Sequence, residues 1–159
     1  MTKSALQSAQ RTLAPEIEGL QSLSGALGDS FEHAVSVLAE ISGRVIVSGM
    51  GKSGHVGAKI AATLASTGTP AQFVHPGEAS HGDLGMITPA DAVLTLSWSG
   101  ETAELANLID YAKRFSIPLI ALTSGPDSML GRQADICIAL PKTTEACPNG
   151  LAPTTSTTC

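Results

Sequence analysis

The pattern of apolar and polar positions divides the chain into a helical N-terminal part and a longer part that alternates between strands and helices. Over residues 4–41, apolar residues recur at helical spacing, and Pro15, Gly25 and Gly28 interrupt the pattern. This pattern predicts two N-terminal helices, which we expect to complete one layer of the fold or to form an oligomer interface.

From residue 44 onward, short β-branched runs alternate with longer amphipathic stretches. Five runs have the length of buried strands, at residues 45–47, 71–74, 92–96, 119–122 and 136–140. Between the third and fourth runs, one apolar helix face is formed by Leu105, Leu108, Ile109 and Ala112. Strands that are apolar on both sides are typical of parallel sheets covered by helices. The sequence therefore predicts an α/β fold with a mostly parallel sheet of five strands.

Length, charge and cysteine content narrow the class of protein. A chain of 159 residues with 43% hydrophobic and 14% charged residues has the size and composition of one globular domain. The formal net charge of -5 argues against a nucleic-acid partner, which would require clustered Lys and Arg. Three cysteines without CxxC spacing favour a reducing compartment. No apolar run reaches the roughly 18 residues of a membrane span. We therefore expect a cytoplasmic protein without a membrane partner.

A glycine-rich segment at residues 48–54 follows the first strand and opens a helix. It satisfies GxGxxG, but dinucleotide binding also requires an acidic residue about 20 positions later, where Val74 and His75 stand. A Walker P-loop is also disfavoured, because its first glycine is replaced by Ile46. Lys52, at the start of the helix, remains suited to a small anionic substrate.

Another polar segment, residues 97–102, directly follows the third strand. Its three hydroxyls and its backbone N–H groups suit a terminal phosphate. Its residues also suit a purely structural role, in which Ser99 caps the next helix and Glu101 completes the first turn. Spacing alone does not separate these two interpretations.

Two further polar segments carry histidines and carboxylates. Residues 75–83 contain two histidines and two carboxylates, which favour either helix caps and substrate contacts or a metal site. Residues 142–148 follow the fifth strand and contain Glu145. That glutamate is either an ordinary exposed acid or a base whose pKa is raised by partial burial.

Four motifs together resemble the sugar-isomerase (SIS) domain of D-arabinose 5-phosphate isomerases. They are GMGKSG at 49–54, HPGEASHGDLG at 75–85, SWSGE at 97–101 and the EACP-to-STT segment at 145–158. The SxSGE motif alone indicates only the broad SIS superfamily, whereas the second and fourth motifs indicate this isomerase family. The resemblance implies a three-layer, flavodoxin-like SIS sheet. It assigns residues 1–41 to N-terminal helices and residues 42–159 to a sugar-phosphate-binding domain.

The resemblance also implies a reaction and a pathway. These isomerases interconvert D-ribulose 5-phosphate and D-arabinose 5-phosphate through an enediolate, toward Kdo and lipopolysaccharide or capsule biosynthesis, and they are generally homo-tetramers. Moving a proton between C1 and C2 requires a carboxylate, and the developing oxyanion requires a cation or a hydrogen-bond donor. We expect no required cofactor.

Site residues follow from the same resemblance, position by position. The implied catalytic residues are Lys52, Glu104 and Glu145, with one glutamate as the proton shuttle and Lys52 as its electrostatic partner. The implied substrate-binding residues are Ser53, Gly68, Thr69, His81, Ser97, Ser99 and Thr102. His75 matches a position at which family members can bind zinc.

Family members continue beyond the STT motif into a further helix, a segment with another candidate catalytic histidine, and CBS modules. We therefore expect this chain to be an SIS domain without its C-terminal end, and whether it turns substrate over is left to experiment. A second hypothesis is a non-catalytic sugar-phosphate sensor, which would need the phosphate site but no proton shuttle. A third is an oligomerisation fragment without a ligand, which the intact polar segments disfavour.

Overall fold

The computed structural model describes residues 4–159, which form two compact units. One unit combines the chain up to Leu27 with residues 140–159, and the other consists of residues 28–139. The domain boundary placed after residue 41 stays a prediction. Among residues 4–159, no helix is both long and apolar enough to cross a membrane.

Residues 28–139 contain a five-stranded parallel sheet. Its strands are β1 (Val45–Gly49), β2 (Ala71–Phe73), β3 (Ala92–Leu96), β4 (Leu119–Thr123) and β5 (Ile136–Ala139). They lie in the order β2-β1-β3-β4-β5, and every neighbouring pair is parallel. The mostly parallel sheet of five strands that the sequence predicts is confirmed.

Seven α-helices are found in residues 4–159. They are α1 (Ala5–Ala26), α2 (Asp29–Glu40), α3 (Gly51–Ser66), α4 (Pro76–Ala79), α5 (Ala106–Arg114), α6 (Met129–Gln133) and α7 (Thr155–Thr158). Two short 3-10 helices, Asp83–Met86 and Ala103–Leu105, complete the regular structure.

Helices cover both faces of the sheet in residues 28–139. On one face, apolar residues of α2 and α3 pack against Val45, Val47 and Ile120. On the other face, α4, α5 and α6 pack against Ile46 and Val93. Leu108, Ile109 and Ala112 of α5 are fully buried there, as their spacing predicts. These three layers are those of a flavodoxin-like fold.

A buried carboxylate fixes the amino edge of the sheet. Asp91 is 2% exposed and accepts hydrogen bonds from the backbone N–H of Arg44, at 2.6 Å, and of Thr88, at 2.8 Å. Burial raises the pKa of Asp91, but the hydrogen bonds from Thr88 and Arg44 outweigh it, so the net pKa lies below its usual value. The charged carboxylate thus ties the residue before β1 to the residue before β3.

In the other unit, α1 packs against the C-terminal segment. Its N-terminus is closed by a capping box between Ser4 and Gln7. Gly19 is buried, and a Cβ there would lie 2.6 Å from Cγ2 of Thr155 and 2.9 Å from Sγ of Cys159. A glycine is therefore required for this close approach.

The sequence predicts an interruption at Pro15, but α1 runs through that residue without a break. Proline has a φ compatible with the helix, and it removes one backbone hydrogen bond among many. The chain leaves the helical conformation instead at Leu27 and Gly28, which are both extended. Two N-terminal helices are therefore present, with the break later than the proline.

Candidate functional site

Polar residues collect at the carboxyl edge of the sheet in residues 28–139. In the order β2-β1-β3-β4-β5, the connections that follow β1 and β3 leave the sheet on opposite faces, which opens a crevice between their ends. Ligands of open α/β sheets bind in this crevice. The GMGKSG and SWSGE motifs both lie here, one after β1 and one after β3.

Glycines bring the start of α3 close to the sheet. A Cβ at Gly54 would lie 2.6 Å from the Gly49 carbonyl oxygen, and one at Gly49 would lie 3.0 Å from the Leu96 carbonyl oxygen. Gly51 has a positive φ of 57°. These glycines therefore serve close packing between β1, β3 and α3 and a tight turn, which explains the GxGxxG spacing without a dinucleotide.

Lys52 and Ser53 are the second and third residues of α3. Met50, at the N-cap, gives the helix no side-chain hydrogen bond, so the first backbone N–H groups of α3 point toward the crevice edge uncapped. Lys52 is exposed, and within residues 4–159 its ammonium forms no ion pair. Its side chain is available to an anionic ligand.

The loop after β3 is preorganised around two hydroxyls. Ser97 is 3% exposed, and its Oγ lies 2.8 Å from Oγ1 of Thr102. The Ser97 Oγ also accepts a hydrogen bond from the backbone N–H of Gly100, at 3.1 Å. Gly100 has a φ of 70°, and a Cβ there would overlap the side chain of Ser128. The loop therefore has one tight conformation that only glycine permits.

Unused donors remain in this loop. Over the described part of the chain, the backbone N–H groups of Trp98, Ser99 and Thr102 have no hydrogen-bond acceptor. Backbone N–H groups that face one concavity, together with hydroxyls, form a site for a phosphate. The loop from Ser97 to Thr102, which we call the phosphate loop, thus has the donors that the phosphate interpretation requires.

The capping interpretation of this loop does not match the structure. Helix α5 begins at Ala106, so Ser99 is not its cap; the Ser99 hydroxyl accepts instead from the backbone N–H of Glu101, at 3.2 Å. Glu101 accepts from the backbone N–H of Met129, at 3.0 Å. Helix α6 has Ser128 as its N-cap, and the added bond from its first residue to Glu101 holds the phosphate loop against this helix, which is distant in sequence.

The end of β4 also supports the phosphate loop, a role that the sequence pattern did not predict. The Trp98 carbonyl oxygen accepts from the backbone N–H and the hydroxyl of Ser124, both at 2.9 Å, and from the Thr123 hydroxyl at 3.2 Å. A Cβ at Gly125 would lie 2.5 Å from the Ser99 carbonyl oxygen. The Thr-Ser-Gly run at residues 123–125 follows a predicted strand, and this is the sequence feature that could have indicated the support.

Glu104 lies directly after the phosphate loop, in the 3-10 helix Ala103–Leu105. Its side chain is exposed and forms no hydrogen bond or ion pair within residues 4–159. Lys52 and Glu104 thus follow the adjacent strands β1 and β3, on either side of the crevice. Both side chains are free to turn toward a ligand there.

The histidine segment follows β2 and does not form a complete metal site. His75 caps α4, and its Nδ1 accepts from the Gly77 backbone N–H at 3.1 Å. His81 is exposed just beyond α4. In residues 4–159, no three His, Cys, Asp or Glu side chains are grouped so as to hold a metal ion. His75 by itself supplies one ligand, and zinc at His75 stays a prediction.

Gly68 and Thr69 are not brought together with the other predicted site residues. They lie between the end of α3 and the start of β2, at the amino edge of the sheet. The 16 residues of α3 separate them from Lys52 by roughly 24 Å of helix, since each residue rises about 1.5 Å. Their predicted contact with substrate therefore has no support from the position of these residues.

In the other unit, Glu145 is held by the C-terminal segment. Its Oε2 accepts from the Thr154 backbone N–H at 2.6 Å and from the Thr154 hydroxyl at 3.0 Å. Burial raises the pKa of Glu145, but hydrogen bonds from the Ser156 side chain and from Thr154 outweigh it, so the net pKa is lowered. Glu145 is therefore not an ordinary exposed acid, because it is half-buried. It is also not a base with a raised pKa, because its charged form is stabilised.

Comparison with known proteins identifies the relatives of this chain. A profile described as the SIS domain matches residues 38–159. Arabinose 5-phosphate isomerase KdsD of Yersinia pestis is 56% identical over 154 residues, which cover 96% of this chain and 46% of that protein. The chain thus spans about half the length of the curated relatives it matches. The resemblance that the motifs indicate is confirmed.

Two solved structures have the same fold as this chain. E. coli CFT073 c3406 in complex with A5P superposes with a TM-score of 0.88 at 37% identity, covering 99% of this chain and 85% of that one. A putative sugar-phosphate isomerase from Listeria monocytogenes superposes with a TM-score of 0.94 at 31% identity, covering 99% and 84%. Both solved structures therefore share the fold of this chain.

We expect replacement of Gly100 by alanine to destabilise the protein by about 1–3 kcal/mol, because a Cβ has no room beside Ser128 at a positive φ. Urea unfolding measures the change. Gly25→Ala is the matched control, since a Cβ at that helical position meets nothing within 4 Å. Equal stability of Gly100→Ala and the native chain would contradict the tight loop conformation.

We expect the Glu145 carboxylate to titrate below the ordinary range for glutamate, because Thr154 and Ser156 donate to its charged form. A lowered pKa contributes stability that is present above the unfolded-state pKa and is lost as the pH falls through the folded-state pKa. NMR of the side-chain carboxyl carbon measures the midpoint. A midpoint near neutral pH would show instead that burial dominates.

Proposed function

The chain belongs to the SIS domain family, and from that premise we propose that it is the sugar-phosphate-binding domain of an arabinose 5-phosphate isomerase. The observation that carries the proposal is the phosphate loop, whose paired hydroxyls and unused backbone N–H groups lie at the crevice between β1 and β3. The identity to KdsD and the structure of c3406 with A5P support the choice of a five-carbon sugar phosphate.

The proposed reaction interconverts D-arabinose 5-phosphate and D-ribulose 5-phosphate. A base removes the proton from C2 of the aldose, an enediolate forms, and the proton returns to C1. The substrate phosphate is held by Ser97, Thr102 and the free N–H groups of the loop, which places the sugar carbons toward Lys52. The Lys52 ammonium stabilises the negative charge that develops on oxygen.

Glu104 is the better candidate for the proton shuttle. It directly follows the phosphate loop, and its carboxylate is exposed and free of hydrogen bonds over the described residues. The Glu145 carboxylate already accepts bonds from Thr154 and has a lowered pKa, which makes it a weak base. We assign Glu104 the proton transfer and Glu145 the ordering of the C-terminal segment.

A second candidate function, sugar-phosphate binding without turnover, is favoured by the state of Glu145. The hydrogen bonds to Thr154 tie the Glu145 carboxylate into a structural role, so of the two predicted glutamates only Glu104 is left as a proton shuttle. The two candidates differ in proton exchange, because a binding domain needs the phosphate loop but has no reason to exchange the C2 proton.

We further propose a cytoplasmic homo-tetramer whose product enters Kdo synthesis, for lipopolysaccharide or capsule. These statements extend the similarity to KdsD. They concern a whole protein of the length of the matched relatives, which are about twice as long as this chain.

Proton NMR of the chain with D-arabinose 5-phosphate in deuterated buffer tests the proposal. We expect loss of the C2 proton signal together with formation of ribulose 5-phosphate. Glu104→Gln should lower turnover by about 10²–10⁴-fold, and Glu145→Gln by a much smaller factor. The matched control is Glu32→Gln, an exposed carboxylate on α2, which should leave turnover unchanged.

The other outcomes separate the alternatives. Binding without exchange or conversion would favour the non-catalytic domain. Full turnover in both Glu104→Gln and Glu145→Gln would rule out the carboxylate mechanism. A deeper loss in Glu145→Gln than in Glu104→Gln would reverse the two assignments.

A further inference from the structure

The first turn of α6 donates two hydrogen bonds to the phosphate loop. The backbone N–H of Met129 donates to Oε1 of Glu101 at 3.0 Å, and the next N–H, that of Leu130, donates to the Gly100 carbonyl oxygen at 3.0 Å. The first N–H groups of a helix have no acceptor within that helix. Two adjacent residues of the phosphate loop therefore supply acceptors that α6 cannot supply by itself.

Helix α6 is a fixed support for these bonds. Leu130 is fully buried, in the apolar cluster on one face of the sheet. The Ser128 hydroxyl caps the helix by accepting from the Gly131 backbone N–H at 3.1 Å. A Cβ at Gly131 would overlap the Pro126 carbonyl oxygen, so the turn before α6 is closely packed. A group that is bonded to the start of α6 is thus held in place relative to the sheet.

The paired bonds fix the chain that leads into Thr102. Gly100 is anchored through its carbonyl oxygen and Glu101 through its side chain, so the peptide between them is held at two points. The Glu101 N–H is also used, because it donates to the Ser99 hydroxyl at 3.2 Å. The next residue, Thr102, supplies a backbone N–H and a hydroxyl to the proposed phosphate site. The side-chain bond of Glu101 therefore helps to set the direction of those two donors.

The charge of Glu101 is not used in this support. Its carboxylate is exposed, and within residues 4–159 it forms no ion pair. A neutral amide oxygen can accept a hydrogen bond from a backbone N–H as a carboxylate oxygen does. A carboxylate beside a phosphate also repels it, by an amount that falls with distance and with salt. What the structure uses at this position is an oxygen acceptor at the reach of a glutamate side chain.

We propose that Glu101 is a positioning residue for the phosphate of the substrate, which acts through α6 as a hydrogen-bond acceptor and does not itself touch the substrate. The bond from Met129 to Glu101 holds the donors of the phosphate loop in the conformation that binds phosphate. Without that bond the loop has more conformations, and binding must restrict them at a cost in affinity. The inference rests on the proposed function, since it assigns a role within the same phosphate site.

Two variants separate the hydrogen bond from the charge. Glu101→Gln keeps an oxygen at the same reach and removes the charge. Glu101→Asp keeps the charge but shortens the side chain by one C–C bond, about 1.5 Å, which takes the carboxylate out of hydrogen-bond reach of the Met129 N–H. Glu101→Ala removes both. We expect Glu101→Gln to resemble the native chain and Glu101→Asp to resemble Glu101→Ala.

Isothermal titration calorimetry with D-arabinose 5-phosphate, and separately with inorganic phosphate, measures the affinity. Glu101→Ala and Glu101→Asp should weaken the binding of both ligands by roughly 5–20-fold, the range for one lost hydrogen bond. Glu101→Gln should bind both within about twofold of the native chain or more tightly, because a like charge is removed. The matched control is Asp127→Ala, which removes another exposed carboxylate close to the start of α6 and should leave both affinities unchanged.

Two further readouts separate positioning from catalysis and from general stability. In turnover assays, the loss in Glu101→Ala and Glu101→Asp should appear in KM, with kcat within about threefold of the native value, because no reacting group is removed. Amide hydrogen exchange at Leu130 should be faster in these two variants and unchanged in Glu101→Gln, since the Leu130 N–H reports the contact with Gly100.

Each outcome decides the inference. Equal phosphate affinity of Glu101→Ala and the native chain would overturn it, and so would a loss in Glu101→Gln as large as that in Glu101→Ala, which would assign the effect to charge. If circular dichroism shows that Glu101→Ala does not fold, the comparison of Glu101→Gln with Glu101→Asp still decides. A native chain that binds neither ligand would refute the proposed function and this inference with it, whereas the first two outcomes leave the proposed function intact.

Discussion

Gly100 is the backbone constraint on which the phosphate loop depends. Its positive φ turns the chain sharply, and the absence of a Cβ lets the turn lie against Ser128. In this conformation the Gly100 N–H donates to the Ser97 hydroxyl, which in turn contacts the hydroxyl of Thr102. Over the described residues, the same turn leaves the backbone N–H groups of Trp98, Ser99 and Thr102 without acceptors. These N–H groups are therefore available to a ligand.

The support for this loop comes from elements that are distant in sequence. The end of β4 donates three hydrogen bonds to the Trp98 carbonyl oxygen, and the Glu101 carboxylate accepts from the first residue of α6. Several carboxylates act as acceptors for backbone N–H groups, among them Asp91 at the amino edge, Glu101 beside the phosphate loop and Glu145 in the C-terminal segment. Glu104 accepts no such bond over the described residues, which leaves its carboxylate available for proton transfer.

The sheet, and the location of the polar motifs at its carboxyl edge, could be predicted from the sequence because both rest on local patterns. Apolar runs mark the strands, and polar motifs directly after them mark the carboxyl edge. The role of Thr123 was missed because it acts through a neighbouring strand, 25 residues from Trp98. The pKa of Glu145 stayed open because its donors lie nine and eleven residues away. The predicted interruption at Pro15 was wrong because the surrounding helix tolerates one lost hydrogen bond.

We propose that the phosphate loop binds the phosphate of the sugar. Amide NMR of the labelled chain, titrated with D-arabinose 5-phosphate and separately with D-arabinose, tests this binding. We expect the N–H signals of Trp98, Ser99 and Thr102 to shift with the phosphorylated sugar and to stay in place with the unphosphorylated one. Equal shifts with both sugars, or shifts confined to other parts of the chain, would contradict it.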